Sequence, residues 1–327
     1  MEEKKFPVAI IMHITLIAAI VVIFTVCAYK LYKWNKGVPS DYDPNYITTD
    51  FDIEALDSII PLAPDKLEGH VDDGLTTILC LGNDPFSKEK GQENGLAEMI
   101  AAGVPEPEKT TVYNGSFTGS TISAAYANYN DGYWMDSFSL PYLAKAICSR
   151  DFTDTLHYAY YSYDPDFVPT VEMLEALDMN TVDIICIMYD AIDYIEKRPS
   201  DDPNDPYSIV AYTGALHTAI EEIQETYPFI RIVVMSHTFC FYVNEEGYFQ
   251  NGDRTDLGNG TLSHYLQKAL DVTGDCSVSL IDNFYGTINE DNYLDYMTDY
   301  IHFNDEGRKL LADRFINCIF PDKTAEE

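Results

Sequence analysis

Thr76-Thr77-Ile78-Leu79-Cys80-Leu81-Gly82-Asn83-Asp84 opens the folded part of this 327-residue chain. Its apolar residues follow one another without the polar alternation of a half-exposed strand, so such a strand is covered on both faces. Gly82-Asn83-Asp84 ends it in a turn and leaves a carboxylate at its carboxyl end. Comparable strand-like runs recur at residues 111–114, 182–188, 231–236 and 277–281, and helical patterns lie at 94–102, 139–148, 171–177, 212–226 and 262–272. A last helix, 305–318, places Leu310, Leu311, Phe315 and Ile319 on one face. A short amphipathic turn is expected around residues 53–60. Apolar strands alternating with helices predict an α/β fold, a three-layer α/β/α sandwich around a parallel sheet.

In such a sheet, chemistry gathers beyond the carboxyl ends of the strands. Asp84 follows the first strand, Asn114 to Thr121 follow the second, and Asp190 follows the third. The loop before the last helix reads Thr298-Asp299-Tyr300-Ile301-His302-Phe303-Asn304-Asp305-Glu306-Gly307. A carboxylate three residues before a histidine can hold the imidazole in one tautomer and orientation, as a base requires. The blander alternatives are that His302 pads a helix start and that Gly119 is only a turn glycine. No cofactor motif is present, and His70, His157, His217, His237 and His264 show no metal-ligand spacing, so no cofactor and no metal are expected.

Residues 6–29 form an apolar run free of Asp, Glu, Lys and Arg, long enough to cross a bilayer as a tilted helix. Val26-Cys27-Ala28 is a weak signal-peptidase site, but the run exceeds a usual signal core and Lys30, Lys33 and Lys36 follow at once. The expected organisation is an N-terminal transmembrane anchor over 1–36, a Pro- and Asp-rich linker over 37–74 and one domain over 75–327. Lys4 and Lys5 on one side and three lysines on the other lean slightly towards a cytoplasmic body. A net charge of −34 repels nucleic acid, which excludes it as a partner. The acidic stretches 201–205 and 289–292 lack the glycine and distal glutamate of a calcium loop and read as solvated. Seven cysteines without a CxxC pair do not form a disulfide framework; Cys80 and Cys186 read as small core residues. Tyr158, Tyr160, Tyr161 and Tyr163 read as amphipathic residues on half-buried segments rather than a sugar platform.

Four blocks together resemble the SGNH (GDSL-type) hydrolases over roughly residues 76–320. They are Leu81-Gly82-Asn83-Asp84, where the family usually has Gly-Asp-Ser; Asn114 to Thr121, similar to its Asn-x-x-x-x-Gly-x-Thr turn; Ile187-Met188-Tyr189-Asp190-Ala191, where it usually has Gly-x-Asn-Asp; and Asp299-x-x-His302. The resemblance implies a site of Asp84, Gly119, Asp190, Asp299 and His302, with the Gly119 N–H in an oxyanion hole. It also implies a body outside the membrane, against the lysine bias, and acyl esters of cell-envelope carbohydrate or lipid as substrates.

The departures fall at the chemical centre: Asp84 stands where the family has its nucleophilic Ser, and Asp190 where it has the Asn that completes the oxyanion hole. An ionised Asp190 offers acceptors where a tetrahedral intermediate needs a donor; a protonated one could donate. Two expectations follow: a hydrolase with altered chemistry that uses Asp84 as a carboxylate nucleophile with His302, or an inactive relative that binds a glycan, lipid or protein in its cleft. Ser87, Ser116 and Ser120 are weaker nucleophile candidates.

Overall fold

The computed structural model describes residues 8–35 and 54–321. The chain divides into two compact units, Met1–Asp52 and Ile53–Glu327. In the first, α1 (Val8–Asn35) is a helix of 28 residues. The run expected as an anchor falls mainly on it, although residues 6 and 7 and several α1 side chains lie outside the described residues, as do residues 36–53 of the expected linker. Among the described residues, no helix is long and apolar enough to cross a membrane.

The second unit is built on a parallel sheet of β1 (Thr76–Gly82), β2 (Thr110–Asn114), β3 (Ile184–Met188), β4 (Arg231–Met235) and β7 (Ser279–Ile281), in the spatial order β2-β1-β3-β4-β7. A short antiparallel hairpin, β5 (Phe241–Val243) and β6 (Phe249–Asn251), stands apart from it. The helices are α2 (Asp84–Ser87), α3 (Leu96–Gly103), α4 (Leu140–Ser149), α5 (Thr153–Ala159), α6 (Phe167–Ala176) and α7 (Ile192–Ile195). After them come α8 (Tyr212–Thr226), α9 (Leu262–Asp275), α10 (Asn283–Gly286), α11 (Tyr293–Tyr296) and α12 (Asp305–Ile319).

Successive side chains of a strand point to opposite faces, and here each face has its own core. Leu79, Leu81, Ile185 and Ile187 pack on one side with α4, α6, α8 and α9; Ile78, Cys80, Ile184, Cys186 and Met188 pack on the other with α3 and α12. Cys80 and Cys186 are in-register neighbours, free and buried, as their sequence context suggests. The layers are therefore helix, sheet and helix, held mainly by burial of these faces.

The turn expected near 53–60 is instead extended chain. Ser58 pairs antiparallel with Leu280 through bonds of 2.9 and 2.8 Å, and the Leu56 and Ile60 N–H groups donate to Asp282 and Ser279, each at 2.9 Å. That cover removes the open edge of β7, a hazard for aggregation. Polar and apolar residues alternate too briefly here to signal a strand.

Candidate functional site

The strand order reverses direction of growth at β1, which has β2 on one side and β3 on the other; crevices in open α/β sheets form at such a switch point. Gly82 ends β1 with no room for a side chain, since a Cβ there would come within 1.9 Å of the Met188 carbonyl oxygen. The chain then turns into α2, with Asp84 in its first turn beside Pro85 and its fixed backbone angle. Asp84 and Asp190 thus emerge from neighbouring strands, both only 8 % exposed.

His302 is set by a tight loop. Met297 bridges to Phe303, the Thr298 N–H donates to the His302 carbonyl oxygen at 2.8 Å, and Asn304 caps α12 by accepting from the Gly307 N–H at 2.9 Å. Arg308 pins the same loop from below. Its side chain, 6 % exposed, donates to the carbonyl oxygens of Asn94 (2.7 Å) and Phe303 (2.9 Å) and pairs with Asp305.

These loops bring all five expected residues together. His302 Nδ1 lies 2.6 Å from Asp299 Oδ2, and His302 Nε2 lies 2.9 Å from Asp84 Oδ2. The second Asp84 oxygen accepts the Gly119 N–H at 2.7 Å. Gly119 adopts φ +71°, a left-handed conformation that costs residues with a side chain about 1 kcal/mol or more; this aims its N–H at Asp84. Asn83 donates to Asp190 Oδ1 at 2.8 Å and accepts the Asp190 N–H at 2.9 Å, locking the two turns to each other. Lys88 Nζ is 3.5 Å from Asp84.

The charges sort themselves unequally. The hydrogen bond to Asp84, followed by that to Asp299, lifts the His302 pKa to about 9 against partial burial. At neutral pH His302 is an imidazolium that donates to a carboxylate on each side. Burial pushes the Asp84 carboxyl up, but the His302 and Gly119 hydrogen bonds and the Lys88 charge outweigh it, and its pKa is lowered. Asp299 follows the same pattern: burial opposes, the bonds from His302 and from the His302 and Ile301 N–H groups win, and its pKa is lowered. Asp190 goes the other way. Burial, then the neighbouring Asp84 charge, raise it to about 7.

No hydroxyl bonds the His302 ring among the described residues. Ser116 Oγ donates to Asn114 at 2.5 Å, Ser87 Oγ accepts from Thr118 at 2.9 Å, and Ser120 Oγ turns to the Gly82 carbonyl oxygen at 3.4 Å. Although no metal spacing is visible along the chain, the fold places ligand atoms of Asp84, Asp190 and His302 within 4.8 Å of one another. The site opens to a polar cleft of about 630 Å³ lined by Lys88, Glu89, Asp299, His302, Asn304 and Arg308. Beside it, Phe241, Phe249, Tyr293, Leu294, Met297 and Tyr300 form an apolar cup of about 310 Å³, and Thr298 and Asp299 line both. Tyr158, Tyr160, Tyr161 and Tyr163 do not line this cleft; Tyr158 is buried and the other three are exposed.

No family model matches the chain, and no curated protein does. One solved structure is similar at 18 % identity and a TM-score of 0.52, covering 75 % of this chain and 96 % of its own. A protein provisionally assigned as a GDSL-like lipase from Parabacteroides merdae is 12 % identical, with a TM-score of 0.45 over 80 % of this chain and 99 % of that one. A carbohydrate acetylesterase from Sinorhizobium meliloti is 13 % identical, with a TM-score of 0.43 over 74 % and 97 %. At these identities the likeness concerns the fold: a mostly parallel sheet flanked by helices.

Proposed function

We propose that this chain is a membrane-tethered SGNH/GDSL hydrolase-like protein that has lost serine-esterase chemistry and binds acylated carbohydrate or lipid of the cell envelope in its cleft, with its body outside the membrane. One observation carries the reading: the Asp84 carboxylate bridges His302 Nε2 and the Gly119 N–H, at 2.9 and 2.7 Å. In the family that the sequence resembles, those two groups serve a serine and the oxyanion of its intermediate. Here one carboxylate engages both, and it answers His302 with a negative charge that keeps the ring protonated rather than free to accept a proton. The juxtaposed polar cleft and apolar cup suit a ligand with a hydrophilic body and an acyl group. The tether rests on the uncharged apolar run at 6–29 with lysines directly after it, and the outward body on the family resemblance.

A second reading is favoured by the same 2.9 Å contact: Asp84 as a carboxylate nucleophile in altered hydrolytic chemistry. It suits alkyl- or glycosyl-like electrophiles better than esters, because acyl transfer to a carboxylate gives an anhydride. The full chain, screened against acetylated sugars, short acyl esters and activated aryl glycosides beside His302→Ala and Asp84→Asn, separates the two. The proposal expects binding, read as a ligand-induced rise in melting temperature, with no His302-dependent hydrolysis. Glycoside turnover that disappears both in His302→Ala and in Asp84→Asn establishes the second reading instead.

A further inference from the structure

We infer that the recess formed by Asp84, Asp190 and His302 binds a divalent first-row transition ion, of which Mn²⁺ and Zn²⁺ are the fitting examples. The inference concerns the site of the proposed function and rests on the reading that Asp84 is not a covalent nucleophile.

Two observations carry it independently. The first is placement. Three ligand atoms, an imidazole nitrogen and two carboxylate oxygens, lie within 4.8 Å of one another, a span that an ion roughly 2.1 Å from each closes with a small inward shift. The second is an unmatched acceptor. Asp190 is only 8 % exposed and lines the recess together with Asp84 and His302. Its Oδ1 accepts from Asn83 (2.8 Å) and from the Ile192 N–H (3.1 Å), whereas Oδ2 accepts no hydrogen bond among the described residues. This oxygen is reached by solvent at the recess rather than sealed in the core, and it faces a second carboxylate, so no protein donor has to be given up for it to turn to a cation.

The surroundings are arranged as metal ligands require. A metal-binding imidazole usually donates its other ring N–H to a carboxylate, which fixes the tautomer; Asp299 does this for Nδ1 at 2.6 Å and leaves Nε2 turned to the recess. Asn83 orients Asp190, and the Gly119 N–H orients Asp84. The mixed N, O, O donor set suits borderline ions such as Mn²⁺ or Zn²⁺. Binding releases the proton shared by His302 Nε2 and Asp84 to solvent. The Lys88 side chain, 46 % exposed, has room to swing away from Asp84.

The test uses the full chain in detergent, stripped with EDTA and titrated with Mn²⁺ while the paramagnetic resonance signal of the free aqua ion is followed; thiols compete poorly for this ion. One equivalent should disappear into the wild type. Asp190→Asn, which keeps the shape and the Asn83 and Ile192 contacts, should lose at least about tenfold in affinity, and Asp299→Asn about 10–100-fold. Zn²⁺ should displace the bound Mn²⁺ from the wild type. A wild type that leaves the free-ion signal unchanged, or a folded Asp190→Asn that takes up Mn²⁺ as the wild type does, overturns the site. Serine-directed labelling of the same samples reads the functional proposal separately: a protein that binds Mn²⁺ and also labels at a serine keeps the metal site and breaks that proposal.

Discussion

The turn after β1 and the turn after β3 deliver a carboxylate to the same place in opposite electrostatic states. Asp84 meets a cationic imidazole, a backbone N–H and a lysine, and its pKa falls. Asp190, across a single strand boundary, is raised to about 7 by burial and then by the charge of Asp84, which the bonds from the neutral Asn83 amide and the Ile192 N–H do not offset. Residue type and surface exposure are the same; burial prevails at Asp190, whereas charged partners overcome it at Asp84. The site thus divides its two carboxylates into one that is fixed as an anion and one that is poised between acid and anion at physiological pH.

The largest expected effect comes from removing both departures from the family pattern. Asp84→Ser supplies a hydroxyl beside His302 and frees the Gly119 N–H; adding Asp190→Asn supplies a donor in place of an acceptor. Hydrolysis of activated acyl esters by the double variant should exceed that of Asp84→Ser by about 10²-fold or more. Equal rates in the two would show that Asp190 does not face the reacting carbonyl.

Next in size is the titration of His302. Asp84→Asn removes the first cause of its raised pKa, which should drop from about 9 towards its ordinary value, as followed by NMR of the ring carbon-bound protons. Because the folded pKa lies above the unfolded value of about 6.5, the pair's stabilisation is complete below that pH and is lost as pH rises through about 9. The wild type should therefore lose more stability than Asp84→Asn between those limits. Parallel stability curves would remove the ion pair from the account.

Asp190→Asn should act with the reverse sign. A carboxyl whose folded pKa exceeds its unfolded value costs stability as pH rises from about 4 through about 7. In EDTA the variant should match the wild type near pH 4 and melt a few degrees higher at pH 8, since about 1 kcal/mol corresponds to roughly 2–4 °C for a domain of this size. The smallest effect belongs to Lys88→Ala. Half-exposed and 3.5 Å from Asp84, Lys88 should contribute less than about 0.5 kcal/mol by denaturant melts; a larger loss would make it a structural partner of Asp84.

Much of this was legible along the chain, for identifiable reasons. Ile78 to Leu81 and Ile184 to Met188 are apolar on both faces, and only a covered parallel strand uses such runs, so the sheet and its main helices fall where periodicity places them. Asp299 and His302 sit close in sequence, and their pairing follows from spacing alone. Asn83 and Arg308 were not legible as site residues. Asn83 works through Asp190, 107 positions away, and Arg308 through backbone carbonyls of distant turns; neither leaves a local pattern. The metal-like triad was hidden in the same way, its members being spread over three loops. The hairpin β5–β6, at three residues per strand, is too short for alternation to register.

The central claim is that a carboxylate occupies both the hydroxyl position beside His302 and the Gly119 donor. Labelling the full chain with a serine-directed phosphonate, wild type beside Asp84→Ser, tests it most directly. The account predicts no labelling of the wild type and labelling of Asp84→Ser at the new serine, abolished by His302→Ala. Labelling of the unmutated chain at Ser87, Ser116 or Ser120 would contradict it and restore an ordinary serine hydrolase.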